Sequence, residues 1–254
     1  MREEPTLSGF GSGSPELSII LPVYNEAESL PVLWDEVRGT IDALGRSTEV
    51  LFVDDGSTDG STEFMRDLAK RDPRVRLLRL AANSGLSAAF DAGYQAARGD
   101  VVATMDSDLQ TNPRDLVTLF TRLEQADAVV GWRSIRHDTW LKRISSKIAN
   151  TVRDRVTHEH VRDSACSLRL MKRHCLAAIP PYAGMHRFVP TLLHIAGFTI
   201  VEMPVTHRKR RYGKSKFGVR NRIVTASYDL LAVRWMMSRR LRYRVAEDIG
   251  GDEA

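Results

Sequence analysis

Two short apolar runs in this chain each end in a knot of carboxylates, and that pairing restricts the folds open to it. Glu49-Val-Leu-Phe-Val53 leads into Asp54-Asp55-Gly56-Ser57-Thr58-Asp59-Gly60, and Asp100-Val-Val-Ala-Thr-Met105 leads into Asp106-Ser107-Asp108-Leu109-Gln110. A short Val-rich run reads as a strand buried on both faces, the mark of a mostly parallel sheet. Groups just past the C-terminal ends of such strands lie where open α/β sheets bind ligands. Carboxylates crowded into one crevice repel one another unless a cation or a donor-rich ligand sits among them. Hard divalent ions suit that place, because they are held by one or two carboxylates plus substrate phosphates.

The spacing of the remaining runs predicts a doubly wound α/β sheet with helices on both faces. Strands are expected at Leu17–Val23, Glu49–Val53, Val75–Leu80, Val101–Met105 and Ala128–Gly131. Helices are expected from Asn25-Glu26 to about Ala43, with acids in the first turn, and at Ser61–Arg71, Leu86–Ala97 and Pro113–Gln125. After Trp132 the pattern changes to a basic amphipathic helix at Trp140–Val156, a short strand at Ser167–Lys172 and a segment Phe188–Ile195. A last strand follows at Thr199–Val205, then a basic loop at Lys209–Gly218. Ile223, Ala226, Leu230, Val233, Met237 and Leu241 recur at helical spacing with arginines around them.

Charge is unevenly spread over the 254 residues, whose formal net charge is +5. Residues 206–244 carry 13 Lys/Arg and one acid, Asp229, so the preceding body is mildly acidic. Such a block suits phosphates, anionic lipid headgroups or nucleic acid. An acidic body with no basic groove and no recognisable binding motif argues against nucleic acid. Two cysteines, Cys166 and Cys175, are too few for a disulfide framework and fit a reducing, cytoplasmic setting. Met1–Glu16 has no apolar core of a signal peptide, and no run reaches the ~18 apolar residues of a spanning helix.

Taken singly, the motifs have plain alternatives. Asp106 could cap the following helix, Asp-Gly and Ser/Thr make turns, and a basic loop is often only solvated. Taken together they are specific. Leu21-Pro-Val-Tyr-Asn-Glu26, Val53-Asp-Asp-Gly-Ser-Thr-Asp59, Asn83-Ser-Gly-Leu86, Asp106-Ser-Asp-Leu-Gln110 and Arg210-Arg-Tyr-Gly-Lys-Ser-Lys216 occur in this order. From Leu17 to Arg244 the chain resembles the family 2 glycosyltransferases, in the polyprenyl-phosphate branch that includes dolichyl-phosphate mannose synthases.

The resemblance implies a GT-A fold and a nucleotide-diphosphate sugar donor. Pro22, Tyr24, Glu26 and Asp55 would hold the nucleotide, with Asp54 supporting that loop or touching the nucleoside. Asp106, Asp108 and Gln110 would hold Mg2+ or Mn2+ against the diphosphate. Arg133 matches an arginine expected near the phosphates, and Arg143 is a further candidate for the acceptor phosphate, with a solvated helix face as its equal alternative. Asp163 would meet sugar hydroxyls with Arg169 behind it. Arg210, Arg211, Lys214, Ser215 and Lys216 around Gly213 would bind phosphate. Asp108, Arg133, Arg210 and Lys216 are the residues expected to carry catalysis. This chain has Trp132 and Ser167-Leu168 where the family often has a smaller residue and Gly-Phe, so the sugar stays open.

The implied reaction is a metal-dependent, inverting transfer of one sugar to a polyprenyl phosphate of the dolichyl or undecaprenyl type. A glycosyltransferase acting on a glycan hydroxyl, a nucleotidyltransferase and a non-catalytic nucleotide-sugar module are the rivals. The division expected is a disordered leader at 1–15, a catalytic domain at 16–219, a basic amphipathic helical tail at 220–245 and an acidic disordered end at 246–254. The tail is expected to attach the protein to the cytoplasmic face of a membrane, to pack on the domain, or to meet a membrane subunit or a second copy.

Overall fold

Strand β1 (Leu17–Val23) is the axis of the sheet, and its seven residues are all buried. It pairs in parallel with β2 (Thr48–Asp54) on one side and β4 (Val101–Thr104) on the other. Around it the chain runs α1 (Leu30–Leu44), α2 (Ser61–Arg71), β3 (Val75–Arg79), α3 (Leu86–Ala96), α4 (Asp115–Leu123) and β5 (Ala128–Arg133). Then come β6 (Arg169–Lys172), 3-10 turns at Arg173–Ala178 and Met185–Arg187, α5 (Val189–Ala196), β7 (Ile200–Val205) and α6 (Val219–Ser238). This computed structural model describes residues 14–134, 161–210, 212 and 219–239, with the side chains of α6 described from Tyr228 onward. The expected Trp140–Val156 helix with Arg143, the leader to residue 13, the acidic end, and Arg211, Gly213, Lys214, Ser215 and Lys216 lie outside the described residues.

The seven strands lie in the order β3-β2-β1-β4-β6-β5-β7. Only β6 runs antiparallel to its neighbours, so the sheet is mostly parallel as expected. The chain steps from β1 outward to β3, then crosses back over the sheet to β4. That reversal creates a switch point between β1 and β4, the place where open sheets leave a crevice.

Alternation along the strands divides the core in two. Ile19, Leu21 and Phe52 pack with Leu33, Trp34, Val37, Met65 and Leu119 from α1, α2 and α4. Ile20, Val53 and Val102 face Phe90 and Tyr94 of α3, Leu193 of α5 and Val233 of α6. Helix α3 lies so close to β1 that a Cβ at Gly93 would collide with Ile20 Cγ2, which explains a glycine within a helix.

Helix α1 departs from its predicted start. It begins at Leu30, with Pro31 in its first turn and no acid there. Asn25 has φ +53°, a left-handed conformation that no helix continues through, and the backbone amides of Asn25, Glu26 and Ala27 are already held by Ser57, Ser61 and Asp59.

Helix α6 is not apolar on one side only. Val233 is fully buried, and Leu230, Met236 and Met237 pack beside it against the α3–α5 face. Its other side leaves Tyr228 70%, Leu231 64% and Trp235 63% exposed. Most of the predicted stripe that falls on described side chains therefore belongs to the fold.

The amino-terminal edge of the sheet is locked by a buried carboxylate. Glu49 accepts from Ser18 Oγ at 2.6 Å, from the Arg98 amide at 2.7 Å and from Arg76 at 2.6 Å, while Ser18 Oγ also takes the Gly99 amide. Glu49→Ala strands these donors, and its expected cost is about 3 kcal/mol, the scale for breaking a buried ion pair by removing one partner. Urea unfolding checks this, and ligand affinity at the opposite edge should stay unchanged.

Candidate active site

Every predicted ligand-binding residue among those described lies at or beyond the carboxyl edge of the sheet, apart from Pro22, the residue before the last of β1. Val23 stands level with Asp54, and the Asp55 amide donates to the Val23 carbonyl at 2.8 Å. The loops after β1 and β2 are therefore side by side, and they are stitched together. Asn25 Oδ1 accepts from the Thr58 amide at 2.7 Å, and the Glu26 amide donates to Ser61 Oγ at 2.9 Å.

The paired aspartates after β2 do different work. Asp54 is fully buried, accepts from the Ser57 amide at 2.8 Å and from the Thr62 hydroxyl, and lies 3.7 Å from Arg79 Nε. Its carboxylate contacts here all lie within its own neighbourhood. Asp55 clasps the loop before α3: Oδ1 accepts from the Ser84 amide at 2.6 Å and Oδ2 from the Gly85 amide at 2.9 Å and Asn83 Nδ2 at 3.1 Å. Gly56, at φ +75°, makes that approach feasible, since a Cβ there would fall 2.7 Å from the Asn83 nitrogen. Tyr24 and Glu26 follow β1 half-buried beside these loops.

The loop after β4 starts in a recess, because Thr104 is paired with Ile20, three residues short of the end of β1. Ser107 Oγ reaches the Pro22 carbonyl at 2.8 Å, and Ser29 Oγ reaches the Ser107 carbonyl at 3.2 Å. Leu109 is buried with φ +62°, a conformation costly for a branched side chain and typical of functional turns. It folds Asp108 back so that Oδ1 accepts the Gln110 amide at 3.1 Å. Asp106 caps no helix; α4 starts at Asp115 without a side-chain cap. Desolvation, then the charge of Asp108, pushes the Asp106 carboxyl up to about 6.

A cation bound beside the pair would favour the ionised carboxylate. Among the described residues no three His, Cys, Asp or Glu side chains converge on one point. Two carboxylates and the Gln110 amide on one turn fit an ion that completes its shell with phosphate oxygens.

The β5 side brings together two residues expected to act separately. Arg133 donates to Asp163 through Nε at 2.7 Å and Nη2 at 2.9 Å, and its amide donates to the same carboxylate at 3.2 Å. Trp132 carries the Arg162 guanidinium 5.0 Å from its ring centre. Arg169, 1% exposed, donates through Nη2 to the carbonyls of Ser164 at 3.0 Å and His186 at 2.7 Å. Burial pushes the Cys166 thiol up to about 11, the opposite of a reactive nucleophile.

From the far side β7 delivers the basic segment. Its end forms a bridge between Thr111 and His207, and the Arg208 amide donates to the Gln110 carbonyl at 2.8 Å. Arg210 then reaches back: Nη2 lies 2.6 Å from Asp108 Oδ2 and Nη1 3.5 Å from Glu26 Oε1. His207 Nε2 lies 3.5 Å from Gln110 Nε2, a neighbour that motif spacing missed. The strand-end rule applied to β7 would have found it. The link from Arg187 of the Met185–Arg187 turn to Asp229 of α6, at 3.0 Å, was also not predicted.

Residues 18–179 match the sequence profile "Glycosyl transferase family 2". An undecaprenyl-phosphate 4-deoxy-4-formamido-L-arabinose transferase of Aeromonas hydrophila is 36% identical over 217 residues, covering 85% of this chain and 66% of that protein. A dodecaprenyl-phosphate galacturonate synthase of Rhizobium johnstonii is 35% identical over 235 residues, covering 90% and 69%. The chain thus spans about two thirds of the length of these curated relatives. Among solved structures, a mannosyltransferase of Pyrobaculum calidifontis in complex with GDP-Man and Mn2+ superposes with TM-score 0.62 at 20% identity, covering 91% of this chain and 66% of that one. A glucosyl-3-phosphoglycerate synthase of Mycobacterium tuberculosis with Mn2+, UDP and phosphoglyceric acid gives 0.67 at 18% identity, covering 90% and 80%. These likenesses establish the GT-A architecture.

The Arg133–Asp163 fork sets a measurable coupling. In a double-mutant cycle with Arg133→Ala and Asp163→Ala, the two losses of unfolding free energy should be non-additive by at least about 1 kcal/mol. Additive losses would return the two residues to independent roles.

Proposed function

The chain belongs to glycosyl transferase family 2, and from that premise we propose that it transfers one sugar, with inversion, from a nucleotide-diphosphate sugar to a polyprenyl phosphate. The observation that carries the reading is the meeting of Asp108 with Arg210, with Asp106 beside Asp108 on the same turn, at the switch point of the sheet. Both curated relatives described above are named for a polyprenyl-phosphate product or acceptor, which supports that acceptor class.

In this reading Tyr24, Glu26 and the loop braced by Asp54 and Asp55 receive the nucleoside. Mg2+ or Mn2+ held by Asp106, Asp108 and Gln110 would neutralise charge gathering on the leaving diphosphate. Arg210, joined by Arg211, Lys214, Ser215 and Lys216, supplies phosphate donors, Arg as a planar fork and Lys as a point charge. Asp163, oriented by Arg133, faces the sugar, and Arg143 is assigned to the acceptor phosphate. An alkyl phosphate is largely ionised at neutral pH, with a second pKa of about 6, so the attacking oxygen needs no general base. A hydroxyl acceptor would need one.

The lipid acceptor requires a membrane surface. Among the described residues no helix is long and apolar enough to cross a membrane. The exposed row Tyr228, Leu231 and Trp235 on α6, beside Arg234 and Arg239, is the surface proposed to sit at an anionic interface.

Purified protein incubated with UDP- or GDP-sugars, Mn2+ and undecaprenyl phosphate should form a lipid-phosphate sugar. Asp108→Asn should lower turnover at least about 100-fold, the scale for one preorganised electrostatic contact. Unchanged turnover would sink the metal assignment, and nucleotide release without lipid product would sink the acceptor assignment.

Vesicle co-sedimentation tests the surface. Binding to anionic vesicles should fall as salt shortens the screening length below about 8 Å, and Leu231→Ala with Trp235→Ala should abolish it. A protein that ignores vesicles but sediments as a dimer points the row to a second copy, and a monomer that ignores them overturns the membrane role.

A further inference from the structure

Arg210 holds the oxygen that a cation at Asp108 would need. Asp108 Oδ1 already accepts the Gln110 amide at 3.1 Å, which holds the carboxylate, and Oδ2 is its less committed oxygen toward the protein backbone. Arg210 Nη2 sits on that oxygen at 2.6 Å, and its other terminal nitrogen faces Glu26 Oε1 at 3.5 Å. Both carboxylates are nearly enclosed, so water screens the contact only weakly. The base of the arm is clamped, because the Arg208 amide is bonded to Gln110 and His207 is bridged to Thr111. Arg210 can therefore leave Asp108 by turning its own side chain, without unseating the segment before it.

We propose that Arg210 is a tethered counter-cation that competes with the divalent metal for Asp108 and is handed to the donor diphosphate once the metal is bound. This rests on the reading of Asp106, Asp108 and Gln110 as metal ligands. A guanidinium and a divalent ion on one carboxylate oxygen repel each other, so occupation by one weakens the other. A diphosphate offers the displaced guanidinium a bidentate partner as good as the one it left. Metal and nucleotide then favour each other's binding, and by linkage the effect is equal in both directions. The same contact gives the ligand-free protein a fixed acidic pair in place of two unshielded carboxylates.

The test measures free Mn2+ by electron paramagnetic resonance during titration of wild type, Arg210→Gln, Arg210→Lys and Arg208→Gln, with and without UDP or GDP. Arg208→Gln removes the same charge from an arginine paired with Glu36. Without nucleotide, Arg210→Gln should bind Mn2+ about fivefold or more tightly than wild type, while Arg208→Gln stays within about twofold. Arg210→Lys keeps a cation and should stay close to wild type. With nucleotide diphosphate the advantage of Arg210→Gln should vanish, since the variant has lost its phosphate contact. Equal or weaker Mn2+ binding by Arg210→Gln overturns the proposal while leaving the metal assignment standing. A wild-type protein that takes up no Mn2+ at millimolar concentration, with or without nucleotide, overturns both.

Discussion

Everything at the carboxyl edge depends on the parallel register of β1 with its two neighbours. On the β2 side the strands end together, Val23 level with Asp54, so their loops can be tied into one wall. On the β4 side the partner stops opposite Ile20, and the last three residues of β1 overhang it by about 10 Å at the rise of a strand. That overhang is the crevice. The Asp106–Gln110 turn fills it from below, anchored by Ser107 to the Pro22 carbonyl that β4 leaves unpaired. A slip of one residue in β1 would turn Ile19 and Leu21 out of one core and shift the recess, so packing and site geometry share one constraint.

The acidic residues that mark the site divide into braces and the pair proposed as ligands. Asp54 and Asp55 spend their oxygens on amides and hydroxyls of their own neighbourhood, holding the 57–62 and 83–85 segments. Asp106 and Asp108 belong to a turn whose geometry is strained at Leu109 and whose charges oppose each other. A chain with only the first pair would have a rigid wall and nothing to hold a cation. One with only the second would have ligands without a fixed frame.

The strands and the strand-end carboxylates were legible because they rest on local patterns: continuous apolar runs and the turn residues that follow them. Five motifs in register also carried the family. What stayed hidden was contact between distant segments. Nothing near Arg133 announces that Asp163 will take its fork, and nothing near Gln110 announces His207, since each link joins different strand ends across the sheet. Helix α1 starts five residues later than the sequence suggests: Glu26 and Glu28 mimic an acidic first turn, but the amides of Asn25, Glu26 and Ala27 are taken by Ser57, Ser61 and Asp59. On α6 the spacing marks Leu230, Val233 and Met237, which meet the domain, but it does not show the second apolar row of Tyr228, Leu231 and Trp235 on the other side. Val233 and the Asp229–Arg187 contact decide which row packs.

Charge explains why so many arginines gather here. A guanidinium keeps its proton in any protein environment, so Arg169 brings a full positive charge into the core, with no hydrogen-bond partner for Nε and Nη1 among the described residues. An isolated buried charge is prohibitively costly, and it is tolerated when an opposite charge lies close. Arg169 lowers the Asp106 pKa from behind, and Arg133 lowers it from the side. Arg210 faces Asp108 and Glu26. Among the described residues, Glu26, Asp106, Asp108 and Asp163 thus meet three arginines, one positive charge short of balance. Two of those arginines are fixed, one in the core and one by a bidentate carboxylate. Of the three, Arg210 reaches the site on an arm beyond the sheet, so among these described arginines it is the one that can change partners without unmaking the fold.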